Sequence, residues 1–201
     1  MTDSIEAADR RLLDAIQSFV ADHPDPTIQH FHGSIADWGD RWVETPPRHL
    51  QAADTLTDCL ALTAPETHDL TAAFDAEKST RNWEQSYTSA DNVVGDDMLA
   101  GYGFAEVIGK HGPFVSERVR AGIGVWGPHI DYPPHRHAAE EVYVVVAGSA
   151  EFELGEPVMR RAGEVVYVPS MLTHGFRTSD QPLAVFYIWQ AGDLREKSSF
   201  N

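Results

Sequence analysis

A single cysteine among 201 residues leaves no partner for an intramolecular disulfide, a usage that fits a reducing compartment. Cys59 lies in the apolar stretch Asp58-Cys59-Leu60-Ala61-Leu62, where a small buried hydrophobe is expected rather than a nucleophile. Basic residues are scarce: 15 Lys and Arg stand against 31 Asp and Glu, a net charge of -16 that disfavours nucleic acid and anionic membrane surfaces as partners. The deficit is uneven, with 6 basic against 19 acidic residues in positions 1–100 and 9 against 12 in the rest, so the acidity reads as a solvated helical surface in the first half. No apolar run approaches the ~20 residues of a membrane span. The start, Met1-Thr-Asp-Ser-Ile-Glu, lacks the basic opening and apolar run of a signal peptide, so the expectation is a cytoplasmic, soluble protein. Internal repeats and low-complexity segments are also missing, and the length suits one domain with an extension.

What is present divides into two styles. Ile5, Leu12, Leu13, Ile16, Phe19 and Val20 recur at helical spacing behind the capping pair Asp3 and Glu6, and His23-Pro24-Asp25-Pro26 ends that helix. A second helical region is expected from about Pro47 to Leu62, and a shorter third near Pro65 carries Leu70, Ala73 and Phe74. The aromatic segment Trp38–Trp42 reads as mixed helix and loop. After about residue 90 the chain becomes short β-rich runs separated by glycine and proline, including 102–108, 115–126, 141–146, 150–154, 165–168, 175–178 and 183–189. The expected organisation is a helical N-terminal extension over residues 1–90 packed on a β-barrel or sandwich over residues 91–201.

The chemistry concentrates in His135-x-His137-x3-Glu141-x6-Gly148, followed by Gly163-x5-Pro169-x4-His174, with 14 residues between the two glycines. Three imidazoles and a carboxylate suit a divalent first-row metal. If the segment is extended throughout, His135, His137, Glu141 and Tyr143 share one strand face, and His174 arrives from another strand. A histidine pair beside acidic residues also occurs on solvated surface strands, so the longer frame carries the argument.

That frame resembles the cupin superfamily, whose two motifs have this order and spacing. The resemblance implies a mainly β fold, a cupin jelly-roll barrel, with one divalent metal ion held inside by His135, His137, Glu141 and His174. It gives Gly148 the turn of the first hairpin and Gly163 and Pro169 the frame of the second. The superfamily pattern has glycine where this chain has His129 and Met171, and asparagine where it has Thr178; none of the three is expected to be a ligand. The string from Asp131 to Tyr143, with the helical extension and the length, is similar to the dimethylsulfoniopropionate (DMSP) lyases of the DddQ type. This resemblance implies elimination from a small zwitterionic substrate, releasing dimethyl sulfide and leaving acrylate.

Such a reaction must remove a weakly acidic proton alpha to a carboxylate while a neutral sulfide leaves the beta carbon. A metal beside the carboxylate would stabilise the developing charge. Tyr143, two residues after Glu141 and on the same strand face, is the candidate base, because a nearby cation favours the phenolate; the resemblance assigns the matching tyrosine this role, and core packing is the competing reading. Tyr132, expected in the loop entering the first motif, is the second candidate, placed to hydrogen-bond substrate or metal-bound water. Trp126, Tyr187 and Trp189 are the candidate substrate-binding aromatics, since a sulfonium is a cation without N–H or O–H donors and aromatic faces attract it. Arg118, Arg120 and Lys110 are possible carboxylate partners that spacing does not separate. His30-Phe31-His32 repeats the two-histidine spelling without a matching carboxylate and distal histidine, and reads as structural or surface.

Another metal-dependent cupin enzyme, such as an iron dioxygenase, would use the same ligands, and a non-catalytic cupin that binds a small ligand is the reading from a different class. An oxygen requirement separates the first from elimination; turnover argues against the second. Iron(II), zinc and manganese all remain open as the metal. The sequence leaves the oligomer open too, although cupin barrels commonly pair and a homodimer is compatible with the resemblance.

Overall fold

The computed structural model describes residues 4–35, 41–195 and 197–200. Helix α1 (Ile5–Asp22) is capped by Ser4, whose hydroxyl accepts from Ala7 N at 3.2 Å, and buries Ala8, Leu12, Leu13, Ile16 and Val20 along one stripe. The expected cap, Asp3, lies outside the described residues. Pro24 does end α1, but the same segment starts a helix missing from the sequence reading, α2 (Pro26–Ile35): Asp25 Oδ1 accepts from Thr27 N at 2.7 Å, and Pro26 occupies the first helical position, where its missing N–H costs nothing. The expected helix from Pro47 begins only at Gln51 and is broken, with α3 (Thr55–Cys59) between two short 3-10 turns, and α4 (His68–Glu77) follows. Within the aromatic segment, Trp38–Asp40 lie outside the described residues, whereas Trp42 donates its Nε1 hydrogen to buried Asp9 at 2.7 Å and Arg81 pairs with the same carboxylate.

Strand β1 (Trp83–Glu84) and helix α5 (Asp96–Gly101) precede the main strands: β2 (Tyr102–Gly109), β3 (Phe114–Val115), β4 (Val119–Trp126), β5 (Asp131–Arg136), β6 (Glu140–Glu153), β7 (Pro157–Arg161), β8 (Val165–Val168), β9 (His174–Gln190) and β10 (Ser199–Phe200). Long β9 organises the barrel. Its second half pairs antiparallel with β4 and with the first half of β6, and its first half pairs with β5 and the second half of β6. Runs that the sequence divides at Gly148 and after Thr178 are therefore continuous strands. Gly148 is not a hairpin turn: it sits inside β6 at a register shift, with φ of 75°, and a Cβ there would lie 1.9 Å from Pro182 O. A glycine permits both the left-handed backbone and the close approach at this bulge.

Both faces of the central strands are buried, which explains the almost uninterrupted apolar run from Val142 to Ala147. Val142, Val144, Ile123, Phe186 and Ile188 face the helices and form one core with Leu12, Ile16, Phe31, Leu56 and Phe74. Tyr143, Val145, Val185, Tyr187, Phe152 and Phe176 point into the barrel and form a second core, unusually rich in tyrosine for an interior. The helical layer is thus held by the outer face of the sheet, each fully buried large aliphatic side chain contributing ~1.5–3 kcal/mol. Thr67 adds a polar tie by donating to Val146 O at 2.7 Å. This is the cupin jelly-roll with helices on its N-terminal side, as the sequence implies. His129 and Met171, at the two positions where the superfamily pattern has glycine, keep left-handed φ values of 58° and 62°, so the turns survive the substitutions. Met171 N donates to His137 O at 2.9 Å, which fixes the chain behind that histidine.

Candidate metal centre and cavity

The expectation of one extended segment through Tyr143 does not hold: β5 stops at Arg136, and His137–Ala139 forms a bend before β6 begins at Glu140. The four candidate ligands nevertheless converge. His135 and His174 are register partners on β5 and β9, the bend brings His137 over the start of β6, and Glu141 rises from β6 opposite Trp189. All four are almost completely buried. One ring nitrogen from each histidine lies within 4.8 Å of the others, and Glu141 Oε2 is 3.0 Å from His137 Nε2 and 3.6 Å from His174 Nε2.

The other face of each ring shows how this geometry is prepared. His135 Nδ1 meets Pro133 O at 3.0 Å, His137 Nδ1 meets Ala139 O at 2.9 Å, and His174 Nδ1 meets Leu172 O at 2.9 Å. A carbonyl can only accept, so each Nδ1 carries the proton and each Nε2 faces the common centre, as an outer hydrogen bond sets it for metal-ligating histidines. His174 Nε2 is buried with no hydrogen-bond partner. His137 lies between two acceptors, so without a cation its ring must be doubly protonated. Burial pulls its pKa down, but the hydrogen bond and charge of Glu141 outweigh that and the net shift is upward. Burial and the neighbouring His174 push His135 down to about 3, leaving a neutral imidazole. Burial raises Glu141, yet the hydrogen bonds and charges of His137 and His174 together outweigh it and bring it to about 2. An orphaned buried nitrogen, three oriented imidazoles and an ionised carboxylate fit a divalent cation.

Beside these residues is a small cavity of about 70 Å³, whose lining includes Trp126, Tyr132, Glu141, Tyr143, Tyr187 and Trp189. All five aromatic candidates from the sequence thus reach one place. Tyr143 and Tyr187 are register partners, and Tyr143 follows Glu141 by two residues on the same inward face of β6. Burial first, and then the Glu141 charge, hold the Tyr143 phenol well above the usual tyrosine range. Tyr132 is not in a loop but in β5, with its ring stacked on His135 at 4.2 Å and its hydroxyl 3.3 Å from that of Tyr87. Trp189 stacks on His137 at 4.0 Å. Trp126, Tyr102 and Tyr132 pack as a triangle of near-parallel rings, with centroids 6.0, 5.9 and 6.4 Å apart. A larger hollow of about 980 Å³ lies between α1 and the β7–β8 turn, but none of its lining residues carries a buried polar atom without a partner, so the chemistry is assigned to the smaller cavity.

Sequence reasoning missed Tyr87 and Tyr102, which complete the aromatic wall, and Phe200, which β10 brings beside His135 by pairing with β5. Tyr102 opens a β-rich run, but nothing local says which neighbour its ring meets. Among Arg118, Arg120 and Lys110, only Arg120 lines the cavity. His129 is exposed and faces Asp180 at 3.5 Å, away from the centre. His30 is exposed and meets Glu140 at 3.2 Å; Tyr167 and Gln190 bond the same carboxylate, so Glu140 is occupied outside the barrel while Glu141 points inward. A double variant, His30→Ala with His32→Ala, is therefore expected to retain its full metal content by elemental analysis. Loss of one metal equivalent would transfer the ligand role to that pair.

Residues 38–185 match the DMSP lyase family. The DMSP lyase DddQ of Ruegeria pomeroyi is 32% identical over 154 residues, covering 76% of this chain and 73% of the relative. The crystal structure of DddQ from the same organism superposes with a TM-score of 0.85 at 27% identity, over 97% of this chain and 96% of that one. A chain from the crystal structures of the DMSP lyases RdDddP and RnDddQII reaches 0.86 at 30% identity, over 98% and 100%. No helix among the described residues is long and apolar enough to cross a membrane. A family match across most of the barrel and the α3–α4 part of the helical layer behind it, together with relatives of the same architecture, places this chain in the DMSP lyase family.

Proposed function

We propose that this lyase cleaves DMSP to dimethyl sulfide and acrylate by base-catalysed β-elimination, using one divalent metal ion. The observation that carries the reading is the set of three imidazoles, each locked at Nδ1 by a backbone carbonyl, around Glu141 and next to Tyr143. His135, His137, Glu141 and His174 would hold the ion. Iron(II), zinc or manganese bound there supplies Lewis-acid stabilisation for charge developing on the substrate carboxylate.

The remaining work belongs to the chain. Tyr143 Oη, as phenolate, takes the proton from the alpha carbon; the electron pair of that C–H bond becomes the new alpha–beta π bond, and the beta carbon–sulfur pair leaves with neutral dimethyl sulfide. The Glu141 charge that opposes ionisation of Tyr143 is offset once the carboxylate is committed to a cation, so base and ligand are linked by design of the strand. Trp126, with Tyr132, presents ring faces to the sulfonium, and Tyr187 and Trp189 close the cavity from β9. Burial of the Tyr143 side chain limits the access of competing water to the phenolate. In this reading residues 1–90 support the barrel, residues 91–201, from outside and supply no ligand.

The test is an anaerobic assay of metal-reconstituted protein with DMSP. Dimethyl sulfide and acrylate are expected in equal amounts without oxygen. A requirement for oxygen, or dimethyl sulfide without acrylate, would overturn elimination.

A further inference from the structure

Among the described residues four buried side-chain atoms have no hydrogen-bond partner, and three of them, His174 Nε2, Trp126 Nε1 and Tyr187 Oη, belong to this site. The first suits a metal. The Tyr187 hydroxyl is different: it is a buried donor on the cavity wall, and such a group left unpaired costs ~1–3 kcal/mol unless something that binds there accepts its proton.

Its neighbour says what that something is. On the paired strands β4 and β9, Gly122 is opposite Tyr187 and Arg120 is opposite Trp189. Arg120 and Tyr187 are therefore diagonal neighbours on the inward face, a separation of ~7–8 Å that long and aromatic side chains bridge. Arg120 Nε donates to Glu106 Oε2 at 2.6 Å, and Arg120 Nη1 reaches Leu194 O at 3.4 Å; these contacts use two of the five guanidinium donors. Glu106 is itself fixed, because its Oε1 accepts from His111 N at 2.6 Å and Gly112 N at 3.2 Å. The guanidinium also lies over Trp189, 5.2 Å from the ring centroid. It is thus held from outside the cavity while it lines the cavity wall. An unpaired O–H beside a positioned guanidinium is a receptor for a carboxylate. Trp126 offers an N–H as well, but its ring packs against Tyr102, Tyr132 and Phe176 rather than against a cation.

We propose that Arg120 and Tyr187 complete the subsite for the substrate's carboxylate beside the metal ligands, on the cavity wall they share with Glu141, and so orient the sulfonium toward the stacked Tyr102, Trp126 and Tyr132. The assignment rests on the lyase reading above and deepens it. Because Tyr143 is the register partner of Tyr187, a carboxylate held by Tyr187 leaves its alpha carbon beside the Tyr143 hydroxyl, where the proton must be removed. Tyr187 then acts through its hydroxyl, and not only as an aromatic wall.

Tyr187→Phe removes one oxygen that has no protein partner, so the fold and melting temperature should be unchanged. Calorimetry on metal-loaded wild type and variant uses two probes, acrylate, which has the carboxylate alone, and trimethylsulfonium, which has the sulfonium alone. Acrylate binding is expected to weaken by ~10-fold or more, the scale of a lost hydrogen bond to a charged group, and trimethylsulfonium binding to stay within about twofold. The KM for DMSP should rise in step with the acrylate loss. Arg120→Lys, which keeps a cation opposite Glu106, should weaken acrylate in the same direction. Unchanged acrylate affinity in Tyr187→Phe, or equal loss for both probes, would overturn the subsite. A wild type that binds acrylate through Tyr187 yet releases none from DMSP would sink the lyase reading and leave the carboxylate subsite standing.

Discussion

Tyr143→Phe should lower turnover by ~10²-fold or more while leaving the metal in place, the lower end of what loss of a general base costs. The change removes only the phenolic oxygen. The ring is buried against Phe152 and Phe176, and Phe preserves those contacts, so the barrel interior should not rearrange. Glu141 keeps His137 at 3.0 Å in the variant and remains available to a cation. Metal content by elemental analysis and substrate affinity are therefore expected to survive, and the loss should fall on kcat. Exchange of the substrate's alpha hydrogen with deuterated solvent, where the parent enzyme shows it, should fall with turnover. Near-normal turnover and exchange in the variant would move the base elsewhere, and Tyr132, stacked on His135 and bonded to Tyr87, is the next residue to test.

Removal of His137 or His174 is expected to abolish stable metal binding. Alanine at either position deletes one of three oriented imidazoles, and affinity should fall beyond the ~10–100-fold that follows from disturbing a residue that merely orients a ligand. The barrel should remain folded, since its interior is held by Val145, Val185, Phe152, Phe176 and Leu183 rather than by the histidines. His174→Ala is the cleaner experiment, because the deleted Nε2 has no hydrogen-bond partner; His137→Ala also strips Glu141 of its hydrogen bond and leaves a buried carboxylate exposed to its full desolvation cost. After chelation and reloading, elemental analysis should find little metal in either variant, with circular dichroism unchanged. Full occupancy in both would remove His137 and His174 from the ligand set.

The sequence by itself determined the features that depend on near neighbours. The stripe of α1, the β character after about residue 90, and the paired histidine frame all follow from spacing along a few turns or one strand pair, where backbone geometry converts position into direction. The burial of Cys59 was legible for the same reason. Helix α2 was missed although Asp25-Pro26 is a usable start signal, because the same prolines also read as the end of α1. Gly148 was misplaced because a glycine within an apolar run is equally a turn or a bulge until the partner strand is known. Tertiary structure alone decided which of three cations lines the cavity, that Tyr102 meets Trp126, and that Tyr187 stands opposite Tyr143 with its hydroxyl unpaired. Each of these is a meeting of strands tens of residues apart, and register between distant strands is set by packing both faces of the sheet at once, a condition that no local window of sequence contains.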